Sequence, residues 1–359
     1  MDLNSPLDCL FPPIGRMTVL ITTQKAPPVT ATNNTEALAV PSAEDPTKTR
    51  AILPVSMTGY DADFQKFSDT LGASFQRYGF AVISDHGLDQ SIIDSAIADA
   101  KAFFALDEDT KRQYHQAGTG GARGLTPFGV ETAKGATVRD LKEFWHTGRE
   151  LPEGHEYKKY MRDNVWPSEV PTFKDNVYGM FSALDELGRR ILKAIARYLK
   201  LDDNYFEDKV QLGNSVLRLL HYPPVPADAP GVRAGAHEDI NVITLLLGAE
   251  EAGLQLKDAD GEWLDIAPPP GALVINIGDM LQRLVNHVLP STTHRVVNPS
   301  VERRGFARYS TPFFLHFNPD FPIETLPSTI SEENPDRYAG KTILAEDFLM
   351  ERLREIKLV

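Results

Sequence analysis

Beyond about residue 210 the chain is a succession of short apolar runs, each closed by a turn signal. Val216–Leu220 runs into Tyr222-Pro223-Pro224, and strand-like segments follow at 237–247, 253–257, 263–266, 272–277, 293–297 and 307–317. Asp258-Ala259-Asp260-Gly261 has the composition of a hairpin turn, and Pro268-Pro269-Pro270-Gly271 punctuates the next gap. Short strands at this spacing, with turns between them, predict an all-β sandwich or jelly roll.

The preceding part follows different rules. Residues 1–49 are rich in Pro, Thr, Ala and Asn without apolar periodicity, so they read as a disordered tail that buries too little to offset its ordering entropy. Ala51–Val55 has strand character. Phe64, Phe67, Leu71, Phe75 and Tyr78 then recur at helical spacing. Gly79–Ile83 reads as a strand ended by Asp85-His86-Gly87, and a second amphipathic helix carries Ile92, Ile93, Ala96, Ile97, Phe103 and Phe104. Residues 117–155 are Gly-rich and predict a long loop with short elements, 176–200 the best helix, and 341–356 a final helix. The resulting division is a tail at 1–49, a helix-rich region at 50–209, a β core at 210–320 and a C-terminal helical extension at 321–359. A length of 359 residues suggests two domains by a prior of roughly 150 residues each, but the patterning favours one catalytic unit behind a tail.

Composition removes several functional classes. The 37 basic and 50 acidic residues leave a net charge of −13, which argues against general binding to a phosphate backbone. The one cysteine, Cys9, excludes a disulfide scaffold and a Cys-rich metal site. No run has the 18 or so apolar residues of a membrane span, and Met17–Thr22 is too short for a signal-peptide core. Asn33-Asn34-Thr35 therefore reads as a chance match to a glycosylation acceptor. A cytoplasmic protein is expected, with translation starting at Met1 or Met17.

Chemistry concentrates in the β region. In a strand, His237 and Asp239 face the same way, about 7 Å apart by backbone rise, and Glu238 faces oppositely. His294 lies on Thr293–Val297, another strand-like run. Two His and one carboxylate on neighbouring strands make the facial triad of non-haem Fe(II) oxygenases, which leaves metal positions open for a co-substrate and O2. Arg308 and Ser310 share a face on the following strand, and a guanidinium fork beside a hydroxyl suits one end of a dicarboxylate. Tyr222 is placed to add a hydroxyl donor.

These residues resemble a known family, the 2-oxoglutarate- and Fe(II)-dependent oxygenases of the isopenicillin N synthase-like group. The resemblance covers most of residues 50–320. It includes Leu53-Pro54-Val55, Gly79–Gly87, Phe103-Phe104 and Lys111-x-x-Tyr114 in the N-terminal part. In the core it rests on Tyr222-Pro223-Pro224, His237-x-Asp239 with Thr244-Leu245-Leu246, Asn276-x-Gly278-Asp279, Asn286, His294-Arg295-Val296 and Arg308-x-Ser310. It implies a double-stranded β-helix, a distorted jelly roll with flanking helices. It implies that His237, Asp239 and His294 bind Fe(II), and that Arg308 and Ser310, assisted by Tyr222, hold the distal carboxylate of 2-oxoglutarate. Decarboxylation to succinate would then drive hydroxylation, desaturation or ring closure of a small molecule, with ascorbate as a supporting reductant. Leu220 departs from the pattern, standing where some members have a co-substrate-binding Asn. Ethylene formation from 2-oxoglutarate, and an oxidase of the isopenicillin N synthase type that works without it, are enzyme alternatives. A jelly-roll module that binds a carboxylate or senses a metal is the non-enzyme alternative.

Other motifs have plainer readings. His237-Glu238 does not open a His-Glu-x-x-His zinc motif, because the fifth position is Asn241. Gly118–Gly124 lacks the spacing and the preceding strand of a dinucleotide loop and reads as a flexible loop. His221 alternates away from Tyr222 and is expected to be structural, and His287, beside the turn at Pro290, is expected outside the cavity. His316 lies some 26 Å from Arg308 by strand rise and is expected outside the site. Asn241 either lines the pocket or closes a strand, and Asp279 is expected to fix a turn. The substrate is expected to be read by loops and by the N-terminal helical part.

Overall fold

The computed structural model describes residues 51–119, 121–130, 141–224, 233–248, 253–298 and 305–355. Its strands are β1 (Pro54–Ser56), β2 (Phe80–Ser84), β3 (Gly124–Thr126), β4 (Glu143–Gly148), β5 (Val216–Tyr222), β6 (Ala234–His237) and β7 (Ile243–Leu247), followed by β8 (Leu254–Lys257), β9 (Trp263–Asp265), β10 (Leu273–Ile277), β11 (His294–Val296), β12 (Arg308–Leu315), β13 (Pro322–Ile323) and β14 (Ile343–Leu344). The helices are α1 (Thr58–Ala62), α2 (Phe64–Tyr78), α3 (Gln90–Phe104), α4 (Glu108–Arg112), α5 (Phe173–Tyr198), α6 (Glu207–Val210), α7 (Asp279–Leu284) and α8 (Ala345–Glu355).

Twelve strands form two sheets. The larger has the order β1-β2-β10-β7-β12-β5-β4-β3, and the smaller β6-β11-β8-β9. Strand alternation divides the larger sheet's side chains between two cores. Ala81, Ile83, Leu245, Ile275, Phe313 and Leu315 pack with the helices, chiefly α2, α3 and α5. Phe80, Val82 and Val274 point the other way and meet Leu254 and Leu256 of β8. The sheets therefore face each other across an apolar layer, as a jelly roll requires. No helix among the described residues is long and apolar enough to cross a membrane.

The helical periods are realised closely. Asp63 caps α2 by accepting from the Lys66 backbone amide, and the chain leaves that helix through Gly79 at φ 67°. A β-carbon at Gly79 would lie 2.4 Å from the Pro290 carbonyl, so both the left-handed turn and the close approach require glycine.

Three expectations are corrected. The apolar run 237–247 is not one strand: it is divided into β6 and β7, which belong to different sheets. Asp239 lies in the crossing between them, and an apolar run alone does not reveal where a chain changes sheets. Residues 117–155 contain β3 and the wholly buried β4. A strand covered on both faces loses the polar alternation that marks strands in a sequence. Finally, β1 to β4 complete the larger sheet, so the change near residue 210 is one of composition and not a boundary of the sheet. The expected tail at 1–49 lies outside the described residues.

Candidate metal centre and adjoining cavity

The triad is assembled by strand pairing and one anchored turn. His237 ends β6 and His294 begins β11, and the two are direct partners in the antiparallel pair. Asp239 is brought beside them by the N-terminus of α7. Asp279 donates its backbone amide to the Asp239 carbonyl at 2.7 Å, and Gly278 donates to Val242 at 2.9 Å. A β-carbon on Gly278 would sit 2.1 Å from the Asn241 carbonyl, so this approach also demands glycine. The His237 and His294 Nε2 atoms lie 3.8 and 3.9 Å from Asp239 Oδ1. One ligand atom from each residue lies within 4.8 Å of the other two. Two metal–ligand bonds of about 2.1 Å bridge gaps of this size.

Surrounding hydrogen bonds orient all three groups. Nδ1 of His237 meets the Gly235 carbonyl at 2.8 Å, and Nδ1 of His294 meets the Thr292 carbonyl at 3.1 Å. A carbonyl can only accept, so each Nδ1 carries the proton and each Nε2 presents a lone pair. Asp239 Oδ2 accepts from Thr244 Oγ1 at 2.6 Å and from Asn276 Nδ2 at 2.8 Å, which turns Oδ1 towards the imidazoles. Burial opposes ionisation of Asp239, but His294, His237 and those two donors outweigh it and hold its carboxyl below the usual range. Desolvation, then repulsion from His294, brings the His237 imidazole down to about 4. Although its side chain is 41 % accessible, that face opens into a crowded cavity. Two imidazoles whose Nε2 atoms face one carboxylate oxygen fit a divalent iron.

A second cluster joins β5 and β12. Arg308 pairs with Tyr222 and Ser310 with Leu220, and all four are buried. Arg308 Nη1 donates to Ser310 Oγ at 3.1 Å, Nη2 donates to the Gly248 carbonyl at 3.3 Å, and the guanidinium lies 5.3 Å from the Tyr222 ring centroid. Tyr222 and Leu220 pack with Phe144. Arg233, also buried, lies 5.6 Å from the same Tyr222 ring, a neighbour that sequence pattern did not reveal.

A cavity of about 700 Å³ opens beside the triad, walled in part by His237, Glu238 and Asp239. Arg308, Ser310 and Tyr222 do not line it. They share inner strand faces with residues that do: Phe314 and His316 follow Arg308 and Ser310 on β12 and just past it, and Arg218 and Val216 precede Tyr222 on β5.

His316 is therefore a correction, since it lines the cavity. Distance from Arg308 misleads here, because the far end of β12 pairs with Ile243, close to the turn that holds Asp239. Burial pushes the His316 imidazole down to about 4. His287 also lines the cavity, and its Nε2 lies 2.8 Å from the Tyr338 hydroxyl. Asn241 fills both of its expected roles: it lines the cavity, and it donates to the Ile243 carbonyl at 2.6 Å. Asp279 holds the turn through its backbone amide, and desolvation raises its carboxyl to about 6. His221 is structural, 2.8 Å from Glu143 and stacked on Tyr309. One wall comes from α8 through Phe348, Leu349, Arg352 and Leu353, where the sequence pointed only to loops and N-terminal helices.

Comparison with known proteins agrees with this geometry. Residues 53–169 match the family described as non-haem dioxygenase in morphine synthesis N-terminal, and residues 213–317 match the 2OG-Fe(II) oxygenase superfamily. A crystal structure of a 2OG-Fe(II) oxygenase family protein from Caulobacter crescentus is 62% identical with a TM-score of 0.81, covering 86% of this chain and 100% of that one. A full-length Neurospora crassa protein solved with alpha-KG is 29% identical with a TM-score of 0.75, covering 84% and 95%. The 2-oxoglutarate-Fe(II) type oxidoreductase hxnY of Emericella nidulans is 32% identical over 305 residues, 78% of this chain and 86% of that protein.

Proposed function

The chain belongs to the 2OG-Fe(II) oxygenase superfamily, and on that premise we propose that His237, Asp239 and His294 hold its iron while Arg308, Ser310 and Tyr222 hold its co-substrate. It is a 2-oxoglutarate-dependent non-haem iron dioxygenase. Iron, when bound, supplies O2 activation coupled to decarboxylation of 2-oxoglutarate to succinate, and thereby oxidation of a second molecule. The observation that carries the residue assignment is the convergence of two Nε2 lone pairs and one carboxylate oxygen within 4.8 Å.

Each side chain then has a defined task. Asp239 contributes Oδ1 as a ligand while Thr244 and Asn276 restrain Oδ2. Arg308 offers a planar fork to the distal carboxylate, and the Ser310 hydroxyl is fixed beside it. Phe144, Leu220 and Tyr222 keep that end poor in water, which strengthens the charge-assisted bonds. The neighbouring cavity supports a small-molecule substrate. Relatives' names are chemically diverse, from a proline hydroxylase to a kihadalactone A synthase. A reduced, cytoplasmic setting suits the iron, and residues 50–209, 210–320 and 321–359 act as one catalytic unit.

The test is succinate release by the purified chain supplied with Fe(II), ascorbate and 2-oxoglutarate. Succinate should form only with iron present, and His237→Ala should reduce it to background. Wild-type protein that neither binds nor turns over 2-oxoglutarate would overturn the assignment.

A further inference from the structure

We propose that the cavity beside the triad is a carboxylate-binding pocket, in which Arg123, with Arg218 lining the same cavity, takes the acid group of a small organic acid and so determines which carbon faces the iron. This inference rests on the oxygenase reading and names the class of its substrate.

Arg123 is an unusual group to bury. It is 2% exposed, and its guanidinium donates only to neutral acceptors: Nη1 to the Ala122 carbonyl at 2.7 Å and Nη2 to Asn214 Oδ1 at 3.3 Å. Its Nε has no hydrogen-bond partner, and among the described residues no carboxylate lies within ion-pair distance of it. Asp163 acts on it only from beyond ion-pair distance, and a buried cation without a counter-ion in contact is costly. Arg123 lines the cavity, so an anion entering there would supply the missing partner.

The neighbours extend the same chemistry. Arg218 donates Nε to His146 Nε2 at 2.6 Å, and His146 Nδ1 lies 2.6 Å from the Gly121 carbonyl. This chain of bonds links Arg218 to the loop that carries Arg123. Arg218 lies 4.2 Å from the Phe144 ring centroid and 5.2 Å from that of Phe314, which holds the guanidinium plane in place. Lys142 lines the same cavity. The lining residues between 119 and 218 include Arg123, Lys142 and Arg218 and no acidic side chain among those described. Of the other cations lining the cavity, Arg352 pairs with Glu355 at 2.8 Å, and Arg283 donates to the Lys341 carbonyl at 2.8 Å. His316, Arg123, His237 and Asp239 all line this cavity, so the cationic residues and the triad flank one space. Val216, Phe314, Phe348 and Leu349 supply apolar surface for the rest of the molecule. A pocket of about this size suits an acid of drug-like dimensions or smaller.

The experiment compares matched pairs of an acid and its primary amide: benzoate with benzamide, hexanoate with hexanamide, cinnamate with cinnamamide. Binding is measured by calorimetry without O2, on protein loaded with Mn(II) and saturating 2-oxoglutarate so that the co-substrate site is filled. The acid of at least one pair should bind tenfold or more tightly than its amide. Arg123→Gln should abolish that preference, Arg123→Lys should retain part of it, and exposed Arg162→Gln should retain all of it. Thermal unfolding of each variant confirms the fold. Equal binding of acid and amide by the wild type in every pair overturns the proposal without recourse to any variant. So does a folded Arg123→Gln protein that keeps the preference. Succinate release without any added acid reports separately on the oxygenase reading, so the two can fail independently.

Discussion

At the scale of single residues, the proposed iron site depends on groups outside the triad itself. Thr244 and Asn276 both bond Asp239 Oδ2, and such outer partners typically contribute 10- to 100-fold, roughly, in metal affinity. Asn276→Ala should therefore weaken iron binding by about that factor, measured by anaerobic titration, and unchanged affinity would exclude the role. For Arg308→Gln the neutral amide keeps some hydrogen bonding and loses the charge. A bond to a charged group contributes about 1.5–3 kcal/mol, so KM for 2-oxoglutarate should rise roughly 10- to 100-fold, read from succinate formation. His237-x-Asp239, His294 and Arg308-x-Ser310 were legible because their chemistry is written in residue type and order. Arg123 was not: its meaning comes from being buried without a carboxylate in contact, and a sequence does not display burial.

Secondary-structure elements are tied together by buried charge. Lys111 of α4 lies 2.9 Å from Glu143 Oε2 of β4, and His221 of β5 lies 2.8 Å from Glu143 Oε1. Burial opposes the charge on Glu143, yet His221 and Lys111 together hold its carboxyl below the ordinary range. A depressed carboxylate stabilises the fold at pH above its unfolded value, near 4.3, and loses that contribution as pH falls through the folded value. Lys111→Met removes one partner of a buried pair and should cost about 3–5 kcal/mol at pH 7. The difference from wild type should shrink below about pH 4, as Glu143 protonates in both proteins. Urea unfolding at the two pH values checks both statements, and a pH-independent difference would refute the linkage. Helices α2, α3, α5 and α8 were legible because a period of 3.6 survives wherever one face is wet. The strand β4 was not, because its six residues are all buried and no alternation remains.

For the whole molecule, the triad joins a strand end, a crossing between sheets and a second strand, so metal binding should couple to global stability. A metal that binds only the folded state stabilises it by RT ln(1 + [L]/Kd), about 2.7 kcal/mol at one hundred times Kd. Mn(II) with 2-oxoglutarate should raise the melting temperature of the wild type and leave Asp239→Ala unchanged. Equal shifts in both proteins would place the metal elsewhere. Residue types and their order determined the His237-Asp239-His294 group, the Arg308-x-Ser310 pair and the alternation of β core and helices, because these rest on local chemistry and period. Only the tertiary structure decided that 237–247 divides between two sheets, that His316 and α8 wall the cavity, and that Arg123 lies buried without an acid in contact. Those outcomes depend on which distant segments pack together, and a one-dimensional pattern carries no record of such proximity.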